Sequence, residues 1–155
     1  YDINRQAMLL DTNILVAAFI ESDEYHETAD TFLKEWTDPF IIPISVLVEC
    51  WGMLAGSFKN WRAAMELYEW SASPGNAIIF PQGVSSYELT LELLRRTRVD
   101  SVDALIARMA HDISTKCSLD PPLKIATLDT RDILKCRNEF DLKIGIFDLR
   151  SFEEY

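Results

Sequence analysis

Apolar and polar positions fall into two registers along this chain. Five short runs, 7-AMLL-10, 40-FIIPI-44, 77-AIIFP-81, 124-KIATL-128 and 144-IGIFDL-149, are apolar or β-branched without clean every-other alternation. That is the pattern of strands covered on both faces. Between them, 23-DEYHETADTFLKEW-36, 45-SVLVECWGMLAG-56, 60-NWRAAMELYEW-70, 86-SYELTLELLRR-96 and 101-SVDALIARMAHDISTK-116 carry the longer period of amphipathic helices. Pro74-Gly75-Asn76 and Asp120-Pro121-Pro122 punctuate as turns. No repeat, low-complexity tract or linker interrupts the pattern. Strands alternating with helices predict one α/β domain over residues 1–155, with a parallel sheet of about five strands between two helical layers. In such sheets ligands collect outside the carboxyl ends of the strands.

Composition narrows the picture. A chain of 155 residues buries about two-thirds of its surface on folding, and 48% hydrophobic residues exclude disorder. No apolar run approaches the ~20 residues of a membrane span. The opening 1-YDINRQ-6 lacks the basic start and apolar middle of a secretory signal. Cys50, Cys117 and Cys136 are odd in number and lack C-x-x-C spacing, which argues against disulfides and zinc and for buried or half-buried thiols. A cytoplasmic protein away from membranes is expected. The net charge of −10 and pI near 4.6 exclude a generic nucleic-acid coat, which needs a basic surface. They do not exclude an enzyme that meets phosphate through divalent cations.

The acids supply the candidate chemistry. Asp11 follows the first strand in 7-AMLLDTNILVAAF-19, and capping a helix from near Ile14 would explain it by itself. Glu49 interrupts the apolar 46-VLVECWGML-54, with Ser45, Val46, Gly52 and Met53 as helical neighbours. A buried carboxylate without a partner is costly, so an ion pair is its plain alternative. Asp103 opens 103-DALIARMA-110 beside small Ala107 and Ala110, with Asp100 one turn earlier; the helix dipole would account for either. In 126-ATLDTRDI-133, Asp129 and Asp132 again follow a strand, and capping would suffice for Asp132. Taken together, acids without matching cations must share protons or bind metal. Hard oxygen ligands favour Mg²⁺ or Mn²⁺. No helix carries paired histidines, and His26 and His111 are expected at the surface.

These motifs (LLDTNIL, the Glu49 helix after the second strand, DALIA and TLDTRDI, in this order) resemble the PIN-domain ribonucleases, and within them the VapC-like toxins. The resemblance implies strand order 3-2-1-4-5 and metal-dependent cleavage of single-stranded RNA. It also implies a homodimer and a cognate antitoxin partner. Many of the toxins carry Asn where this chain has Asp129. On this resemblance Asp11, Glu49, Asp103 and Asp129 are the catalytic acids, binding Mg²⁺ or Mn²⁺ with Asp132. Thr12 and Asn13 cap the helix and organise the site, with Thr127 and Asp100 in support. Arg95, Arg96 and Arg98, ahead of the Asp103 helix, and Arg131, Lys135 and Arg137 after the last motif are candidate RNA contacts; a solvated face explains them equally well. Trp36, Trp51, Trp61 and Trp70 occupy apolar helix positions suited to core or interface packing. Residues of the helices 45–56 and 60–70 (Trp51, Met53, Leu54, Trp61, Tyr68, Trp70) exceed what one helix face needs and are candidates for a homodimer or antitoxin interface. A haloacid-dehalogenase phosphatase would need a second Asp at Asn13, and a response-regulator receiver a Lys ending a late strand. The main rival is a non-catalytic PIN module that binds RNA or protein, and such modules usually lose site acids.

Overall fold

The computed structural model describes residues 7–81 and 84–155, the side chains of residues 84–87 excepted; the expectation on residues 1–6 lies outside the described residues. Five parallel strands form the sheet: β1 (Met8–Leu10), β2 (Phe40–Pro43), β3 (Ala77–Phe80), β4 (Lys124–Thr127) and β5 (Gly145–Asp148). A short β6 (Glu153–Glu154) pairs antiparallel with β5, giving the order β3-β2-β1-β4-β5-β6. The expected 3-2-1-4-5 arrangement is therefore present, with one added edge strand.

Register aligns Leu9 with both Ile41 and Ile125, and Ile125 with Ile146. All four side chains are buried; β1 and β2 are buried at every position and β4 at all but its first, so both faces are covered and these runs show no alternation, whereas β5 alternates. Among the described residues seven α-helices cover the sheet: α1 (Thr12–Phe19), α2 (His26–Glu35), α3 (Ile44–Gly52), α4 (Trp61–Ala72), α5 (Val84–Thr97), α6 (Ser101–Lys116) and α7 (Arg131–Phe140). Phe32 of α2 stacks on Phe147 of β5 and packs on Phe40 of β2, and Trp70 of α4 packs on Phe40 and on Phe19 of α1. These helices share one face. Helices α5, α6 and α7 pack together on the other, as right-handed crossovers require when the chain returns from β3 to β4. The strand order thus reverses between β1 and β4.

Two helices depart from the sequence pattern. Helix α1 is buried on nearly every side, at Ile14, Leu15, Val16, Ala17 and Ala18, so no polar face marks its period. Helix α7 is short and largely polar, burying Ile133 and Cys136. The expected helix 45–56 is α3 followed by a π-helical turn, Met53–Ser57, in which the Phe58 N–H donates to the Met53 carbonyl. Asn60 then caps α4 by accepting from the Ala63 N–H at 3.0 Å. Cys50 and Cys136 are buried, whereas Cys117 is exposed, contrary to expectation. Among the described residues no helix is long and apolar enough to cross a membrane.

Candidate functional site

Where the strand order reverses, the carboxyl ends of β1 and β4 splay their connections to opposite faces and leave a crevice. Here that crevice is a cleft of about 210 Å³ lined by Asp11, Thr12, Asn13, Glu49, Met53, Asp100, Asp103, Asp129 and Asp132. Asp11 and Asp129 follow strand ends, Glu49, Asp103 and Asp132 lie in helices, and Asp100 is the cap of α6. A larger hollow of about 540 Å³, lined by residues including Phe32, Trp36, Phe147 and Phe152, is more apolar. Chemistry, not size, therefore singles out the acidic cleft.

Asp11 is the cap of α1: its Oδ1 accepts from the Thr12 N–H at 2.7 Å. Its Oδ2 accepts from the Thr127 hydroxyl at 2.7 Å. That hydroxyl also lies 3.0 Å from the Asp129 carbonyl; its single proton belongs on the nearer, charged acceptor. Asn13 does not cap, contrary to expectation. Its amide crosses to β4, donating to the Thr127 hydroxyl at 3.2 Å and accepting from the Leu128 N–H at 3.1 Å. Thr12 sits inside the helix, and its hydroxyl donates to Glu49 Oε2 at 3.4 Å. Polar side chains thus tie β1, β4 and α3 together beneath the cleft.

Electrostatics follow from burial without cations. Asp11 is 4% exposed. Burial pushes its carboxyl up to about 6 against the Thr127 and Thr12 hydrogen bonds, with Glu49 and Asp129 adding repulsion. Asp103, on α6, is pushed up to about 8 by burial first and then by Asp11, Asp100 and Asp132, the last of which lies within hydrogen-bonding reach of it. Glu49 is raised by burial and by Asp100. Asp129 goes the other way, held low chiefly by hydrogen bonding from Arg131. The Arg131 guanidinium forks onto it, Nε at 3.0 and 3.2 Å and Nη2 at 2.6 Å.

All the acids read from the sequence reach one cleft, but with altered roles. Asp132 is no cap; it partners Asp103. Asp100 caps α6, accepting from the Val102 N–H at 2.8 Å, while also lining the cleft. Among the described residues no three such side chains stand at ligand distance from a common point. Asp129 pairs with Arg131 instead. The donor set itself, carboxylates with hydroxyl and amide neighbours, suits a hard divalent cation. The thiols of Cys50 and Cys136 are raised by burial, the latter to about 11, so they remain protonated and make poor ligands.

The arginines fare differently. Arg95 and Arg96 pair with Glu92 at 3.9 and 3.2 Å, Arg96 also lies over the Phe140 ring, and neither they nor Arg98 line the cleft. His26 Nδ1 bonds the Ala17 carbonyl and His111 accepts from the Lys143 N–H, both outside the cleft. Met53, a helical neighbour of Glu49 expected on the interface face, instead walls the cleft, and sequence reasoning missed Arg150, which Asp148 holds at the end of β5. The recurrence of Asp-x-Arg in 129-DTR-131 and 148-DLR-150 was the one signal for Arg150.

Comparison with known proteins gives a consistent answer. The PIN domain family model matches residues 8–135. VapC20 of Mycobacterium tuberculosis, a sarcin–ricin loop cleaving toxin, aligns with a TM-score of 0.62 and 20% identity, over 76% of this chain and 86% of that one. A toxin–antitoxin complex from Klebsiella pneumoniae aligns at 0.54 and 21% identity, over 81% and 88%. FitAcB from Neisseria gonorrhoeae aligns at 0.55 and 18%, over 88% and 95%. At these identities the likeness is one of fold. No curated protein matches the chain.

Proposed function

The chain belongs to the PIN domain family, and from that premise we propose that it is a divalent-cation-dependent endoribonuclease of single-stranded RNA, the toxin of a toxin–antitoxin pair. The observation that carries this reading is the convergence of Asp11, Glu49, Asp103, Asp129 and Asp132 on one cleft at the strand-order reversal. A non-catalytic module has no use for so costly a group of carboxylates.

Asp11, Glu49, Asp103 and Asp132 would hold Mg²⁺ or Mn²⁺, with Asp129 joining when it leaves Arg131. When bound, the ion supplies Lewis-acid stabilisation of phosphoryl charge and acidifies water for hydrolysis of the phosphodiester. The chain's own residues prepare this. Thr127 and the Thr12 N–H fix both oxygens of Asp11, and Asn13 locks Thr127 in place. Asp103, pushed up to about 8, would give up its proton to a bound cation. Met53 walls the cleft with an apolar side chain.

A homodimer or antitoxin contact is best placed on the α3–α4 face. There Ile44, Val48, Trp61, Met65 and Tyr68 are exposed, and Trp51 packs edge-on against Trp61 and Tyr68. Leu54 and Trp70, expected on the same face, instead pack inward. The full chain would act as one unit in the cytoplasm. The deciding experiment incubates purified protein with a labelled single-stranded RNA in Mg²⁺ or Mn²⁺, with and without excess EDTA, beside Asp11→Asn. Cleavage that needs metal and Asp11 supports the reading; cleavage that survives EDTA overturns it.

A further inference from the structure

The ends of β4 and β5 carry the same device twice. In 129-DTR-131 the Arg131 N–H donates to Asp129 Oδ1 at 3.1 Å, and its guanidinium forks onto the carboxylate. In 148-DLR-150 the Arg150 N–H donates to Asp148 Oδ1 at 2.9 Å, with Nε at 3.3 Å from Oδ1 and Nη2 at 3.1 Å from Oδ2. The strands are parallel neighbours with Thr127 opposite Asp148, and the Leu149 N–H continues the ladder to the Thr127 carbonyl at 2.9 Å. Asp129 and Arg150 therefore follow the paired carboxyl ends of two neighbouring strands, each two residues beyond the last aligned pair.

The two units differ in depth. Asp148 is buried, at 4% exposure, whereas the Asp129 side chain is 41% exposed. A buried carboxylate persists only with a partner, so Asp148 fixes Arg150 in one orientation. The Arg150 side chain is still 42% exposed, and a guanidinium has five N–H donors, more than Asp148 uses. Both cations act on Asp129, Arg131 by hydrogen bonding and Arg150 through its charge, so both lie near that one cleft-lining carboxylate.

Resting on the ribonuclease reading, we propose that Arg150 and Arg131 form a two-arginine clamp for backbone phosphates of the RNA at the β4–β5 rim of the acidic cleft. The chemistry is bidentate guanidinium–phosphate pairing. Arg150 is the fixed member. Arg131 is the exchangeable one, trading the exposed Asp129 carboxylate for a phosphate and freeing Asp129 to face the cleft. A chain of net charge −10 needs such a site, because repulsion from its carboxylates otherwise opposes the RNA on either side of the metal.

The test is equilibrium binding of a fluorescein-labelled 15-nucleotide single-stranded RNA, read by anisotropy in Mg²⁺ over a KCl series, using Asp11→Asn protein to prevent cleavage. Arg150→Gln in that background is expected to weaken binding about tenfold and to lower the salt slope by about 0.7, the value of one single-strand phosphate contact. Arg131→Gln should act in the same direction, and the pair together should lower the slope by about twice as much. Arg62→Gln, on the distant α4, should change neither quantity. Arg150→Gln leaves a buried carboxylate unpartnered, so Asp148→Asn/Arg150→Gln, which removes both charges, is measured beside it and should show the same loss. Affinity and slope unchanged in that double variant would overturn the clamp while leaving the ribonuclease reading intact. A parent that binds no RNA, with wild-type protein that cleaves none, would overturn both.

Discussion

The tripeptide Leu-Asp-Thr occurs twice, as 10-LDT-12 and 128-LDT-130, each leaving a central strand for the first turn of a helix. The two aspartates nevertheless end in opposite states. Asp11 is buried, is bonded to Thr12 and Thr127, and holds its proton up to about 6. Asp129 is half-exposed and is held low by Arg131. The next residue after each tripeptide decides the difference. Asn13 reaches sideways to β4 and seals Asp11 inside the sheet's end, whereas Arg131 offers Asp129 a cation and draws it outward. A strand-end acid is therefore a place for chemistry, and its neighbours set its charge.

The largest expected contrast is in activity. Asp11→Asn should reduce RNA cleavage by about a thousandfold or more, the scale of several kcal/mol of phosphoryl charge stabilisation. Asp129→Asn should cost only about tenfold, since Arg131 already neutralises part of that acid. Single-turnover cleavage rates measure both, and equal losses would erase the distinction.

Metal binding sharpens the comparison without needing a substrate. At a hundredfold excess over its dissociation constant, Mn²⁺ should stabilise the wild type by about 2.7 kcal/mol, a melting shift of about 5–10 °C for a chain this size. Asp11→Asn and Asp103→Asn should remove most of the shift, and Asp129→Asn should keep most of it. Thermal melts in which Asp129→Asn abolishes the response would make the two acids equivalent.

Their pH dependences should also be opposed. Asp11 and Asp103 bind protons more tightly folded than unfolded, so their contribution to metal-free stability is greatest near pH 4. It should fall as pH rises through about 6 and then about 8. Asp129, lowered by Arg131, contributes stability above its ordinary value near 3.8 and loses it as pH falls further. Urea melts from pH 4 to 9 without metal should show the first trend, and Asp103→Asn should remove the part between about pH 6 and 8.

The smallest expected effect tests the lock. Thr127→Val removes the hydroxyl that bonds Asp11, and losing such a hydrogen bond costs about 1–3 kcal/mol when the partner stays buried. It should also raise the pH at which Asp11 titrates, readable by carboxyl NMR. An unchanged titration would show that Thr127 does not hold Asp11.

Much of this site was legible in the chain itself. The strands announce themselves because both faces are covered, and the acids stand out because a carboxylate after an apolar run has few structural uses. Asp11, Glu49, Asp103 and Asp129 all reach the cleft as expected. Helix α1 was less legible because burial on all sides erased its period, and α7 because its apolar residues are few. The candidate RNA contacts Arg95 and Arg96 looked free in the sequence, but Glu92 lies within reach of both on the same helix.

What the sequence determined by itself is local: which segments become strands, and which residue types stand at their carboxyl ends, because hydrophobic periodicity and turn chemistry act over a few residues. What only the tertiary structure decided is pairwise and distant. It set Thr127 under Asp11 across 116 positions, Asp132 against Asp103, and the end of β5, with Asp148 and Arg150, next to the end of β4. Burial and the distance between charges control a carboxylate's proton, and neither exists until the strands are laid side by side.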